Sequence, residues 1–228
     1  MNSTMANTRT HAEATRLARV KQVVSGLCIM LFPVMLTVGF IMHPNILSLA
    51  MVTEYAEWTS EWRNSDLFHI GHLLVMFAVP LIIVACVRIM SLLRGIGAWY
   101  GFVGAILGVF GAFMLAVDKG ALTFVLTAFR DLPQEEFEAS APAIEAIFNR
   151  GGWLWITWGF VTLPLGVALQ TTGLLKEKII PRWQGFCIIA GLLLLINPDI
   201  EIISSAGALL MCIGFISIGW RELRGALS

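Results

Sequence analysis

The chain reads as an all-α polytopic membrane protein: a six-helix transmembrane bundle with a short surface helix in its second outer loop. Three observations predict this. Hydrophobic residues make up 57% of the 228 residues, charged residues only 13%, and mean hydropathy is +0.81. A soluble domain carries about 25% charged residues. The apolar residues also fall in long runs, and the Lys and Arg residues fall at alternate ends of those runs. At about 20 residues per span, a chain of this length accommodates six crossings.

The runs cover residues 23–42, 67–90, 99–129, 153–175, 183–196 and 200–220. The third is interrupted only by Asp118 and Lys119. None alternates polar and apolar residues as a membrane barrel strand would, so each span is a helix that satisfies its own backbone in lipid. The first run is too long for the apolar part of a cleaved signal peptide. The expected division is a cytoplasmic segment 1–22, one transmembrane domain 23–220 and a cytoplasmic tail 221–228.

Charge sets the orientation. With a cytoplasmic N-terminus, 11 of the 15 Lys and Arg residues lie inside, and 12 of the 15 Asp and Glu residues lie at or toward the outside. The zero net charge hides this partition. It gives a multi-pass inner-membrane protein with both termini cytoplasmic. Trp99, Trp183 and Trp220 mark inner helix ends, and Trp153, Trp155 and Trp158 the outer entry of the fourth span, the usual interfacial use of Trp. Zero net charge and a greasy chain leave no case for a nucleic-acid partner. The lipid bilayer is the expected partner.

Two outer segments are long enough to carry structure. Residues 43–66 hold Glu54, Glu57, Glu61, Arg63 and Asp66 among Tyr55, Trp58 and Trp62. Residues 130–150 read as a surface helix. Asp131 is placed to cap it, Pro133 to open it, and Glu135 and Glu136 to complement its N-terminal dipole. Phe137, Ala141, Ile144 and Phe148 form one apolar face, which Pro142 bends or breaks.

Packing signals are of three kinds. Gly104, Gly108, Ala112, Ala116 and Gly120 recur every fourth residue, a ridge that admits a close neighbour. That neighbour is a helix of the same chain, or another chain if the Gly104/Gly108/Ala112 ridge serves a homo- or hetero-oligomer. Pro33, Pro80 and Pro164 sit mid-span, where each kinks its helix. Cys28, Cys86, Cys187 and Cys212 all lie inside spans without Cys-x-x-Cys spacing, and read as free apolar residues.

Depth then gathers the polar residues. His43 closes the first span on the outside, and His69 and His72 open the second. Counting about 1.5 Å per residue from Trp99 puts Asp118 and Lys119 near the outer hydrocarbon edge. The fifth span is short, roughly 24 Å against a core of about 30 Å. The turn holding Asp199 and Glu201 is therefore recessed. No comparable set is expected at the cytoplasmic end, where the polar residues read as loop Lys and Arg. His69 and His72 stand three residues apart and are expected to aim at one face, with Met76 extending it.

Ionisable groups at membrane depth are costly and tend to be functional or paired. The structural alternative is an Asp118–Lys119 interfacial pair with satisfied histidines. As a site, the cluster fits several classes. The first is an intramembrane enzyme on a lipid or isoprenoid-like, lipophilic substrate, with His72, His69, Asp118, Glu201 and Asp199 as acid–base groups. A metal-assisted variant would hold a divalent metal on His43, His69 and His72. The second is a small-solute or proton-coupled transporter. The third is a haem or quinone redox subunit, with haem b on His43 and His69 or His72. An accessory membrane subunit without catalysis is the fourth. No nucleotide-binding glycine loop, nucleophile elbow or His-Glu-x-x-His zinc motif occurs.

Overall fold

The structure is a computed structural model that describes residues 2–44, 46, 47, 49, 63–146, 153–196 and 200–227. Among the described residues there are seven helices and no strand: α1 Asn2–Ile41, α2 Asp66–Leu92, α3 Gly97–Ala128, α4 Gln134–Ala146, α5 Trp153–Lys176, α6 Arg182–Leu195 and α7 Glu201–Leu223. Four of them hold stretches long and apolar enough to cross a membrane: Glu13–Ile41, Asp66–Leu92, Gly97–Val125 and Glu201–Leu223. α6 is apolar but has only 14 residues.

The helix ends follow local chemistry. Ser65 caps α2, its hydroxyl accepting from the Phe68 N–H at 3.2 Å, and Asp66 follows in the first turn. The N-terminus of α3 is capped from another connection: Glu177 Oε1 accepts from Gly97 N at 2.7 Å. α1 runs without a break at residue 22, so the basic N-terminal segment extends the first span as helix. Pro33, Pro80 and Pro164 lie inside α1, α2 and α5.

α4 differs from expectation at Asp131, and of the two outcomes expected at Pro142 it excludes a break. It begins at Gln134, after Asp131, and Phe137 N–H bonds the Pro133 carbonyl at 3.0 Å. Pro142 sits inside it without ending it. The carbonyl that Pro142 leaves without a helix partner belongs to Glu138, which is exposed, so water can serve it. Of its apolar face, Phe137 is 1% exposed. The side chains of Ala141, Ile144 and Phe148 lie outside the described residues.

The remaining six helices close a ring in the order α1, α2, α3, α5, α6, α7, each packing on the next and α7 back on α1. Glycines set most of these crossings. A Cβ on Gly71 would stand 2.8 Å from the Gly39 carbonyl oxygen, between α2 and α1. On Gly219 it would stand 2.6 Å from the Gly26 carbonyl, between α7 and α1, and on Gly207 2.7 Å from the Gly191 carbonyl, between α7 and α6. On Gly104 it would stand 2.7 Å from the Gly166 carbonyl, between α3 and α5. Four helix pairs thus meet backbone to backbone. Van der Waals packing is the main attraction left between helices that share an apolar solvent.

The expected ridge on α3 is used inside the chain. Gly104 faces α5, Gly108 faces Cys86 of α2 as well as Gly166 of α5, Ala112 is fully buried, and Gly120 touches Met76 of α2. Behind the ridge, buried Gln170 ties three helices together. Its Nε2 donates to the carbonyls of Cys86 at 2.7 Å and Gly101 at 3.4 Å.

Candidate functional site

The site begins with the Gly39–Gly71 crossing. His43 follows Gly39 by one turn, just beyond the end of α1, and His72 is the residue after Gly71. Because the two backbones touch, the two imidazoles meet. They stack with centroids 4.8 Å apart and planes within 3°. Phe68 packs against both rings, at 4.0 Å from His72 and 5.1 Å from His43. His72 is 1% exposed. Its Nδ1 lies 3.0 Å from the Phe68 carbonyl, an obligate acceptor, so that nitrogen carries the proton.

α7 supplies the carboxylate. Glu201 is its first residue, and Oε1 lies 2.6 Å from His43 Nδ1, with both side chains largely enclosed. The other oxygen, Oε2, is buried and has no hydrogen-bond partner among the described residues. From α3, Lys119 pairs with Asp118 at 3.2 Å. Glu201, His43 and His72 thus form one file of side chains, and the Lys119–Asp118 pair stands on α3, where neighbouring Gly120 touches Met76, one turn along α2 from His72.

His69 does not join it. Its Nε2 lies 3.1 Å from the Arg63 carbonyl, and Thr127 Oγ1 approaches Nδ1 at 3.4 Å. It ties the start of α2 to the end of α3, whereas His72 turns to α1. Three residues along a helix leave about 60° between side chains, enough to send the two rings to different neighbours. Arg63 completes that junction. It is 6% exposed and lies over the Phe137 ring at 4.2 Å, and it donates to the carbonyls of Phe129 and Leu132 and to Gln134 Oε1. It thereby holds α4 against the C-terminus of α3. Asp199 lies outside the described residues.

The three histidines do not form one ligand set. His69 points to Arg63 and Thr127, while His43 and His72 stack face to face, so their in-plane lone pairs do not converge. No group of three His, Cys, Asp or Glu side chains among the described residues stands in a metal-binding arrangement. The stack equally fails to fit haem b. Axial histidines point nitrogen to nitrogen across an iron, and these rings meet by their faces.

Sequence reasoning missed the opposite end of the bundle. Glu222 is fully buried, and Arg88 reaches it from α2, with Nε and Nη2 both 2.7 Å from Oε1. Its Oε2 has no hydrogen-bond partner among the described residues. Gln22 Nε2 donates to the Glu222 carbonyl at 2.7 Å, and Arg19 to the Leu223 carbonyl at 3.2 Å, closing the end of α7. A signal for this existed. Ala208, Phe215 and Glu222 recur every seventh residue along the buried stripe of α7, in line with half-buried Glu201. Glu222 therefore belongs to the bundle interior rather than to a loop.

Compared with known proteins, the chain matches no family model, no curated protein and no solved structure. Fold and site together define a class: among the described residues, an all-helical protein with four membrane-length apolar helices, consistent with a membrane protein, and a Glu201–His43–His72 file at one end of the bundle.

Proposed function

We propose that the chain is a six-span inner-membrane protein, with both termini cytoplasmic, that carries out acid–base chemistry on a lipophilic, lipid or isoprenoid-like substrate at the outer leaflet. The observation that carries this reading is the enclosed contact between Glu201 Oε1 and His43 Nδ1 at 2.6 Å. A carboxylate behind an imidazole orients the ring and stabilises its protonated form, while the far nitrogen takes or gives the substrate's proton. His72 fixes the other face of that ring. The substrate class follows from depth, because a site at the hydrocarbon edge meets molecules already dissolved in the bilayer.

The test compares lipid extracts from membranes holding equal amounts of wild type, Glu201→Gln and His43→Gln, by mass spectrometry. The reading expects one lipophilic product with wild type that both variants lose. Identical extracts from all three would overturn it.

A second reading, a proton-coupled carrier, is favoured by one specific observation. The buried Glu222–Arg88 pair puts a second carboxylate at the opposite end of the helix that carries Glu201. At about 1.5 Å per residue the two lie roughly 30 Å apart, one at each edge of a hydrocarbon core. A carrier takes up protons in liposomes under an imposed solute gradient and loses that uptake in Glu222→Gln; an enzyme of the first kind shows no uptake.

A further inference from the structure

Two helices end in the same motif with different residues at its critical position. At the end of α7, the N–H of Ala226 reaches the Arg221 carbonyl and that of Gly225 the Glu222 carbonyl, with Gly225 at φ +72°. At the end of α5, the N–H of Ile179 reaches the Leu174 carbonyl and that of Lys178 the Leu175 carbonyl, with Lys178 at φ +54°. Glycine is the usual choice because a side chain is strained there. Among the described residues Lys178 is the only non-glycine with positive φ. A residue held in a strained conformation is a reason to ask what its side chain does.

Lys178 lines a cleft of about 690 Å³ between the end of α5, the start of α6 and the last turn of α7. Arg182 and Arg221 line it too, with Leu175, Ile179 and Ile180 as apolar wall. Lys178 and Arg182 are exposed. No carboxylate pairs with any of the three cations among the described residues. The acid of the turn, Glu177, is drawn away to cap Gly97. Arg221 holds the turn by donating to the Ile179 carbonyl at 2.7 Å. The N-terminus of α6 opens beside it with no side-chain cap. Exposed Trp183 and Trp220 stand next to Arg182 and Arg221 in sequence, Trp220 with Arg224 over its ring at 4.6 Å. Trp at this frequency marks headgroup depth.

We propose that this cleft binds the phosphodiester headgroup of an anionic phospholipid of the inner leaflet, with Lys178 and Arg182 on the phosphate and the apolar wall against the upper acyl chain. Basic pockets between transmembrane helices on the cytoplasmic side suit such headgroups. The inference rests on the membrane-spanning reading and is independent of the outer-end chemistry.

The experiment titrates full-length protein in mild detergent with phosphatidylglycerol, phosphatidylcholine and inorganic phosphate, following thermal unfolding and lipid retention by native mass spectrometry. Wild type should prefer phosphatidylglycerol. Each surface cation is worth roughly fivefold in affinity. Lys178→Gly should therefore bind about fivefold more weakly while melting higher than wild type without lipid, since the strain is gone. Lys178→Ala with Arg182→Ala should lose about 25-fold, with phosphatidylcholine binding unchanged. Wild-type affinity in Lys178→Gly, equal affinity for both lipids, or saturation by inorganic phosphate at the same concentration as the lipid would each overturn the proposal. Release of the protein from membranes by alkaline wash without detergent would instead overturn the membrane reading beneath it.

Discussion

His43 and His72 lie face to face at 4.8 Å because Gly39 and Gly71 let α1 and α2 touch through their backbones. The first prediction follows. A Cβ on Gly71 would stand 2.8 Å from the Gly39 carbonyl oxygen, and backbone cannot step aside as a side-chain tip can. Gly71→Leu should lower stability by about 1–3 kcal/mol or more, an overpacking cost. Ile70→Val, at an exposed neighbour, should change it little. Thermal unfolding in detergent distinguishes the two, and equal melting temperatures would contradict the crossing.

The α3 ridge makes a parallel case. Gly108 packs against Cys86 on one side, where a Cβ would meet Sγ at 2.9 Å, and against Gly166 on the other. Val109 is only half-buried. Gly108→Leu should cost on the order of 1–3 kcal/mol more than Val109→Leu. Matching unfolding curves for the two variants would mean that α3 does not sit between α2 and α5.

Glu201 and His72 should separate chemistry from structure. Glu201→Gln keeps shape and loses charge, so product formation should fall by about 10²-fold or more with little change in melting temperature. His72 is 1% exposed and packed between His43 and Phe68. His72→Ala should therefore cost stability first, about 2–5 kcal/mol for truncating a large buried side chain. The check is activity and unfolding measured on the same preparations. A His72→Ala protein as stable as wild type would mean that the stack is not packed as described.

The helices were legible because each apolar run is bounded by charges, and the run ends fall within about three residues of the observed ends wherever Lys, Arg or Trp punctuates them. α1 escaped this because its polar first half is still helix. The ring order was not legible. Gly39 does not name Gly71, nor Gly104 name Gly166, and pairing across the chain is invisible to local periodicity. For the site, depth was legible and direction was not. Counting residues levels His43, His72, Asp118, Lys119 and Glu201, but only packing decides that His69 turns to Arg63 and Thr127. The Arg88–Glu222 pair escapes for a related reason. Arg88 falls inside the run 67–90 and Glu222 in the tail after residue 220, and nothing local joins them, although Glu222 lies on the same stripe as Phe215.

Topology supplies a test of the six-span reading. Reporters active only in the cytoplasm should work when fused to either terminus, and reporters active only outside should work near Glu57 and Glu136. The charge partition drives this expectation, since short loops rich in Lys and Arg stay inside. A C-terminal fusion active outside would remove one crossing, and α6, with 14 residues, is the helix that would have to give way.

The last prediction concerns which partner of the Arg88–Glu222 pair matters more. Glu222 is fully buried, while the Arg88 side chain is 25% exposed and its Nη1 also bonds Ser91 Oγ at 3.1 Å. Removing Arg88 strands a carboxylate with no exposure and no cation. Removing the Glu222 charge leaves a guanidinium that still reaches water and a hydroxyl. Arg88→Ala should therefore destabilise strongly, by about 3–5 kcal/mol, the cost of breaking a buried pair from the side that leaves its partner without compensation. Glu222→Gln should cost clearly less. The double replacement Arg88→Met with Glu222→Leu should recover most of the loss, because an apolar pair of similar size needs no desolvation of charge. Unfolding measured for all three variants at one detergent concentration decides the matter. Equal losses for Arg88→Ala and Glu222→Gln would mean that the two ends are equally hydrated and that Glu222 is not sealed inside the bundle.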